Sequence, residues 1–124
     1  MKEIMAVIRM NMMNQTKQAL TEAGISAFFA REAQGRGKGL VNPALLEGAG
    51  KGYEEAAALL GEKGRLYPKR VVSVVVGDDD VPTVIDAIIA ANKTGKPGDG
   101  KIFVLPVSDA VRVRTAEKGA KAID

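Results

Sequence analysis

A glycine-rich segment in the last third of the sequence holds the residues best suited to chemistry. Residues 94–104 read TGKPGDGKIFV, in which three glycines and two lysines surround Asp99. Glycine has no Cβ, so successive backbone N–H groups can come close to one ligand. A nest of such donors beside a lysine suits the oxygens of a phosphate chain. The alternative is a tight helix-to-strand connection that binds nothing.

This segment departs from the P-loop of nucleotide hydrolases. Gly95 to Lys101 has the GxxxxGK spacing, but Ile102 stands where that motif needs a hydroxyl group for Mg²⁺. Lys101 also opens an apolar run that predicts a strand, so no helix N-terminus would point at the phosphates. The sequence therefore argues against a Walker-type NTPase.

Two arginines near the C-terminus form a second candidate site. Arg112 and Arg114 lie in residues 110–115 (AVRVRT), which predict a short last strand, so both side chains would leave the same face. Paired guanidinium groups suit a triphosphate or a carboxylate. A solvated edge strand that discourages aggregation is the alternative, and this feature alone leaves both open.

Composition excludes several classes of function. The 124 residues are 46% hydrophobic and 27% charged, which is ordinary for one folded domain. With no His and no Cys, the chain lacks an imidazole base, a thiolate nucleophile and disulfides. The net charge of +3 comes from dispersed basic residues, so nucleic acid is not an expected partner. We expect no catalytic residues, no protein-held metal and no enzyme activity.

The start of the sequence and its apolar runs bear on localisation. The first residues lead directly into a predicted strand without a signal peptide. No apolar run approaches the roughly 18 residues of a membrane-spanning helix. We therefore expect a cytoplasmic protein with no membrane insertion.

The remaining pattern predicts two strand–helix–strand units. Strands are predicted at residues 3–9, 25–33, 70–76 and 101–107, and helices from a cap at Asn11 or Asn14 to Ala23 and from Val81 to near Ala91. We expect Phe28 and Phe29 in the core. The acidic run Asp78–Asp80 precedes the second helix, which favours capping and helix-dipole complementarity over a magnesium site.

Two units of this kind predict an α+β, ferredoxin-like βαββαβ fold within a single domain, residues 1–124. Such a fold has a four-stranded antiparallel sheet with two helices on one face. The open face of the sheet would be rich in Val and Ile, which favours self-association. Between the units, residues 35–64 contain eight of the fourteen glycines. We interpret this long connection, about 36–67, as a recognition arm, with a passive insertion as the alternative.

Several segments together carry a family resemblance. The chain resembles the PII nitrogen-regulatory signal proteins in its opening MKEIMAVIR, in ALTEAGI, in TGKPGDGKIFVLPV and in the closing VRVRT. The resemblance implies a ferredoxin-like trimer that binds ATP or ADP, with Mg²⁺ on the phosphates, in clefts between subunits. It also implies that 2-oxoglutarate is sensed beside MgATP and that an exposed T-loop contacts target proteins.

The same resemblance assigns roles to individual residues. The nucleotide-binding residues it implies are Gly98, Asp99, Gly100 and Lys101 of one subunit, Arg112 and Arg114 of its neighbour, and Gly35, Gly37 and Lys38 at the base of the T-loop. Lys69, with Lys38, would lie near the 2-oxoglutarate position.

Departures from the general pattern resemble the nitrogen-fixation branch of the family. Lys38 stands alone before Gly39, without the usual glutamine, and Phe29 replaces a small hydroxyl residue. The chain is similar to the longer of two paralogous PII-like proteins encoded beside nitrogenase. This implies assembly with a paralogous subunit, in a homo- or hetero-oligomer built on trimers, and inhibition of a nitrogenase component protein through the T-loop. The alternative is a general PII regulator of glutamine synthetase or an ammonium transporter.

Two unrelated classes fit less well. An RNA-binding RRM needs aromatic residues on the sheet face, but only 4% of residues are aromatic and Ile102 occupies a position that should be aromatic. A nucleotide hydrolase needs a group that activates water, which a site made of glycine, lysine and arginine does not offer.

Overall fold

The computed structural model describes residues 1–36 and 66–123, and the fold is built from alternating strand and helix segments. The elements in chain order are β1 (Lys2–Arg9), α1 (Met13–Glu22), β2 (Phe29–Gly35), β3 (Tyr67–Val76), α2 (Val81–Asn92) and β4 (Lys101–Pro106). Short 3₁₀ turns precede both helices, at Met10–Met12 and Asp78–Asp80, and a third lies at Gly119–Ala122.

The four strands form one antiparallel sheet in the order β2-β3-β1-β4. One face of β1 presents Ile4, Ala6 and Ile8, which are at most 2% exposed. These residues pack with Leu20 of α1 and with Ile88 of α2 in a single apolar core. Both helices therefore cover the same face, and the ferredoxin-like α+β prediction is confirmed.

A polar contact inside this core joins the two helices. The Asn92 side-chain nitrogen donates to the Thr16 hydroxyl oxygen at 2.9 Å and to the Ile88 carbonyl at 2.9 Å. The Thr16 hydroxyl in turn donates to the Met12 carbonyl at 2.7 Å. Thr16 is 0% exposed and Asn92 is 4% exposed, so α1 and α2 are joined by a buried hydrogen bond as well as by apolar packing.

The predicted helix start was wrong, whereas the predicted helix end is confirmed. Met12 is the N-cap residue of α1 and provides no side-chain cap, because the 3₁₀ turn Met10–Met12 leads into the helix instead of Asn11 or Asn14. At the other end Gly24 has φ +87°, and the Ile25 N–H returns to the Leu20 carbonyl at 2.8 Å. A left-handed residue of this kind is the usual way to close a helix.

The second strand starts four residues later than predicted, and one of the two phenylalanines is not in the core. Phe29, the first residue of β2, pairs with Ser73 on the face away from the helices and is 67% exposed. Phe28 lies on the other side and packs against the core. The core prediction was therefore right for Phe28 and wrong for Phe29, because strand register places adjacent residues on opposite faces.

The acidic run precedes α2 as predicted, but its side chains do not cap the helix. Asp80 occupies the N-cap position without a side-chain hydrogen bond. Asp78 pairs instead with the Met1 amino group at 3.1 Å and with the Lys2 ammonium group at 3.3 Å. These contacts, led by the hydrogen bond from the amino terminus, lower the pKa of the Asp78 carboxyl group.

Two features are missing from residues 1–36 and 66–123. No group of three or more acidic side chains there could hold a metal ion. No helix in residues 1–36 or 66–123 is both long and apolar enough to cross a membrane.

Candidate functional site

The glycine-rich segment forms a compact turn between α2 and β4. Its three glycines have positive φ angles, +84° at Gly95, +97° at Gly98 and +112° at Gly100. Residues with a Cβ rarely adopt such angles, so glycine lets the chain reverse within a few residues. We call residues 94–101 the glycine turn.

Asp99 organises this turn from inside. Its carboxylate accepts hydrogen bonds from the Thr94 N–H at 2.7 Å and the Gly95 N–H at 2.9 Å, and also from the Thr94 hydroxyl. Arg9, at the end of β1, donates to Asp99 Oδ1 at 2.7 Å and to the Pro97 carbonyl at 3.0 Å. One carboxylate and one guanidinium thus connect the start of the turn, its middle and the central sheet.

The charge state of Asp99 follows from these contacts. The hydrogen bonds from Thr94, followed by the one from Arg9, hold the pKa of the Asp99 carboxyl group well below its ordinary range. The side chain is therefore an anion at neutral pH and is occupied in shaping the turn. Asp99 supports the candidate phosphate site by setting the turn's shape, whereas Lys101 supplies a positive charge.

Glycine is required at position 100 both by the positive φ angle and by the lack of space for a side chain. A Cβ at this position would overlap the Val7 carbonyl oxygen of β1. Gly100 therefore allows the turn to lie directly against the sheet, and Lys101 then pairs with Val7 as the first residue of β4.

Strand register brings other predicted residues to the same end of the sheet. Arg9 pairs with Lys69 on β3, and Gly35 pairs with Tyr67 at the end of β2. Lys69 is 8% exposed, and among the described residues its ammonium group has no hydrogen-bond or ion-pair partner. The glycine turn, Lys69 and Gly35 therefore share one end of the sheet, which carries several positive charges. Gly37, Lys38 and nearly all of the predicted loop at 36–67 lie outside the described residues.

An open apolar cleft of about 370 Å³ lies beside the turn, between α2 and β4. Ile8, Ile85 and Ile89 line its apolar part, and Gly100 and Lys101 line the part next to the turn. Apolar walls with a few polar groups are typical of small-molecule sites.

The two candidate arginines are not brought to the glycine turn of their own chain. β4 starts at the turn and ends at Pro106, which pairs with Lys2 at the opposite end of the sheet. The six residues of β4 span about 16 Å, and the chain leads from there to the arginines. The C-terminal segment stays at that end, where Ala120 and Ile123 line a pocket with Val76 and Gly77.

The predicted last strand was also wrong. Residues 110–115 make only one bridge, between Val111 and Lys118, because the chain folds back on itself. Arg112 donates to Glu117 Oε1 at 2.9 Å and to the Lys121 carbonyl at 2.5 Å, whereas Arg114 is exposed. A strand would have placed both guanidinium groups in the same environment. Here the Arg112 group is paired within its own chain, whereas Arg114 is exposed to solvent.

Two contributors to the site were missed from the sequence. Arg9 is a single basic residue at the end of a strand, and nothing near it in sequence indicates its partner Asp99. Glu117 follows the arginine motif by a few residues and carries no recognisable spacing signal. Both act through contacts that only the folded chain creates.

The sequence and the fold match a known class of regulators. The family described as nitrogen regulatory protein P-II matches residues 1–117. A solved structure of Arabidopsis thaliana PII bound to citrate superimposes with a TM-score of 0.74 and 32% identity, over 99% of this chain and 89% of that one.

Curated relatives extend the comparison. The chain is 45% identical over 125 residues to the "nitrogen fixation nifHD region GlnB-like protein 2" of Methanobacterium ivanovii, covering 99% of each chain. It is 47% identical over 131 residues to the protein of the same description from Methanothermococcus thermolithotrophicus, covering 99% of this chain and 98% of the relative. It is 39% identical over 123 residues to the "nitrogen regulatory protein P-II" of Bradyrhizobium diazoefficiens, covering 99% of this chain and all of the relative.

The chain belongs to the P-II family of nitrogen-regulatory proteins. Its similarity to relatives from nitrogen-fixation gene regions matches the expected branch. Proteins of this family are signal transducers that oligomerise and act through protein–protein contact.

Proposed function

We propose that this protein is a nucleotide-binding nitrogen sensor that inhibits nitrogenase by direct contact. It binds ATP or ADP at the glycine turn, with Mg²⁺ on the phosphates, and responds to 2-oxoglutarate. The observation that carries the proposal is the glycine turn itself, which Arg9 and Asp99 hold in shape at the end of the sheet where Lys69 and Lys101 lie.

The geometry of the turn supports phosphate binding. Backbone N–H groups in a turn with left-handed glycines form a concave site for anions. The Thr94 and Gly95 N–H groups already donate to Asp99, so the part of the turn around Gly98 and Gly100 would receive the phosphate. Lys101 at its end adds a cation, and Asp99 opposes an anion only weakly because its carboxylate is paired with the Arg9 guanidinium group and accepts hydrogen bonds from Thr94. A relative that was solved with citrate shows that a member of this family binds a carboxylate anion.

Lys69 supports a second anion subsite for 2-oxoglutarate. Lys69 carries a positive charge at the same end of the sheet as the glycine turn, and a carboxylate ligand there would pair with it. Lys69 lies opposite Arg9 in the ladder between β1 and β3, and Arg9 holds the glycine turn. A carboxylate ligand at Lys69 and a nucleotide at the glycine turn would therefore both lie close to Arg9.

The distribution of apolar surface supports an oligomer. Phe29, Phe103 and Leu105 are 67%, 46% and 37% exposed on the face away from the helices. Exposed apolar surface of this extent favours association with other copies or with a paralogue. In the proposed trimer, Arg114 of one chain reaches the glycine turn of the next, because a single chain keeps them at opposite ends of the sheet.

The proposed target is a nitrogenase component protein, contacted through the loop at about 36–67. The nitrogen-fixation description of the relatives supports this target over glutamine synthetase or an ammonium transporter, which remain the alternative for a general PII protein. Ligands at the cleft would act by binding one loop state more tightly than another, and they can shift the equilibrium only by that difference. The proposal places the protein in the cytoplasm.

Co-elution with a nitrogenase component from a methanogen tests the target directly. The full-length protein, with its paralogue where one is encoded, should co-elute with the component and lower its acetylene reduction, and MgATP with 2-oxoglutarate should reverse both effects. A variant that lacks residues 42–62 should keep the oligomeric state and lose the contact. Co-elution of that variant would refute the role of the loop, and binding only to glutamine synthetase or to an ammonium transporter would establish the alternative.

A further inference from the structure

The segment after β4 folds into a hook, residues 110–121, that is closed by backbone hydrogen bonds. The Arg112 N–H donates to the Glu117 carbonyl at 2.9 Å, and the Ala116 N–H donates to the Arg112 carbonyl at 2.7 Å. The Gly119 N–H donates to the Ala110 carbonyl at 2.9 Å. Val113 at the tip is 99% exposed, and Arg114 beside it is exposed as well.

Side chains hold the same hook from within. Arg112 places its guanidinium group between the Glu117 carboxylate, at 2.9 Å, and the Lys121 carbonyl, at 2.5 Å. The Arg112 and Glu117 side chains are 26% and 41% exposed, so the pair is partly shielded from solvent. Hydrogen bonds between ionised groups are stronger and more directional than neutral ones, so this pair fixes the plane of the guanidinium group.

One residue of the hook has a conformation that needs such support. Ala116 has φ +59°, and it is the one non-glycine residue with a positive φ among the described residues. A left-handed alanine persists only where surrounding contacts hold it. Glu117 follows directly, and its pairing with Arg112 supplies one of those contacts.

We propose that Glu117 is a positioning residue for phosphate binding, which it supports by holding Arg112 and the hook that presents Arg114. This inference rests on the proposed nucleotide site. A hook that already has its bound shape loses less conformational freedom when a ligand arrives, and this raises affinity.

The opposite role would be competition, in which Glu117 occupies Arg112 and a phosphate must displace it. The backbone pairing favours positioning, because the Arg112 N–H to Glu117 carbonyl bond and the side-chain ion pair join the same two residues and so stabilise one shape of the hook. If Glu117 positions the hook, removal of its carboxylate raises the Kd for MgATP. If Glu117 competes with the phosphate, the same change lowers the Kd.

Titration of MgATP into the Glu117→Gln variant measures whether its Kd is higher or lower than that of the wild type. If the change lowers the fraction of ordered hook to roughly one tenth, the Kd for MgATP rises about tenfold. Glu117→Asp keeps the charge and should recover part of the affinity. Glu22→Gln is the matched control, because Glu22 accepts a hydrogen bond from Gln18 on α1, outside the hook, and its Kd should equal that of the wild type. Unchanged or tighter binding by Glu117→Gln would overturn the positioning role.

Amide hydrogen exchange of the hook gives a readout that needs no ligand. Exchange of the Arg112, Ala116 and Gly119 amides should be faster in Glu117→Gln than in the wild type and should slow again in Glu117→Asp. Equal exchange in all three proteins would also overturn the inference. If the wild type binds no MgATP, the proposed nucleotide site fails by that result alone, and exchange still decides whether Glu117 holds the hook.

Discussion

Arg9 and Asp99 are 90 residues apart in sequence, and their side chains meet at 2.7 Å at the end of the sheet. This ion pair makes the glycine turn part of the central fold, since Arg9 belongs to β1 and Asp99 to the turn. The same guanidinium group also holds the Pro97 carbonyl. The shape of the candidate phosphate site is therefore set by the folded core and does not depend on the turn sequence alone.

Loss of the Asp99 charge should destabilise the protein in a pH-dependent way. Because the folded state lowers the Asp99 pKa below its ordinary value of 3.8, the contribution to stability is present above that pH. It declines as the pH falls below 3.8 toward the lower pKa of the folded state. Urea denaturation of wild type and Asp99→Asn should therefore give a difference in unfolding free energy that is larger at pH 7 than near pH 2.

Asp86→Asn is the control for this comparison, because Asp86 is an exposed carboxylate on α2. Its effect should be small at both pH values. A difference for Asp99→Asn that stays constant with pH would show that the carboxylate charge does not stabilise the turn.

Addition of a single methyl group at Gly100 should disrupt the contact between the turn and β1. Gly100→Ala combines a positive φ with an overlap at the Val7 carbonyl, so we expect a loss of at least about 2 kcal/mol in unfolding free energy. Gly77→Ala is the matched control, since Gly77 has φ −65° and open space around the added Cβ. Chemical denaturation of both variants checks this. Equal stability of the two variants would contradict the close packing of the turn.

The buried hydrogen bond between the helices should be detectable as a stability term. Thr16→Val removes the hydroxyl group that joins Met12 and Asn92, and we expect a loss of about 1–2 kcal/mol in unfolding free energy. Thr21→Val is the control, because the Thr21 hydroxyl donates to Lys17 in the same manner but is exposed.

The control should change the unfolding free energy by less than about 0.5 kcal/mol. A double-mutant cycle of Thr16→Val with Asn92→Ala should then show coupling of about 1 kcal/mol. If the two changes in unfolding free energy are additive, the hydrogen bond between Thr16 and Asn92 does not stabilise the packing of the helices.

Removal of the Lys101 charge should weaken nucleotide binding without loss of the fold. A hydrogen bond to a charged group contributes about 1.5–3 kcal/mol, so Lys101→Met should raise the Kd for MgATP by at least about tenfold. Lys17→Met, on the exposed face of α1, makes the same chemical change away from the site and should bind as the wild type does. Isothermal titration calorimetry measures both, and equal affinities would exclude Lys101 from the site.

Local patterns in the sequence predicted the fold because they reflect short-range physics. The apolar run at residues 3–9 predicted a strand, and β1 forms there with Ile4, Ala6 and Ile8 in the core. The predicted end of the first helix at Ala23 agrees with the C-cap of α1, which the left-handed Gly24 follows. The spacing of glycines and lysines likewise located the glycine turn.

What the sequence could not predict depends on contacts between distant residues. Register with Ser73 decides that Phe29 faces away from the helices, and this pairing has no local signal. The predicted last strand does not form because Arg112 contacts Glu117 and Lys121 of the following segment. A run of β-branched residues in the sequence does not reveal such contacts. Arg9 was overlooked for the same reason.

The most direct test of the central claim is calorimetric titration of MgATP into the purified protein, with and without saturating 2-oxoglutarate. We expect that MgATP binds and that its affinity rises when 2-oxoglutarate is present, because coupling between two ligands is reciprocal. Absence of MgATP binding would contradict the assignment of the glycine turn as a phosphate site. Binding of MgATP with the same affinity in both titrations would contradict the claim that this chain senses 2-oxoglutarate.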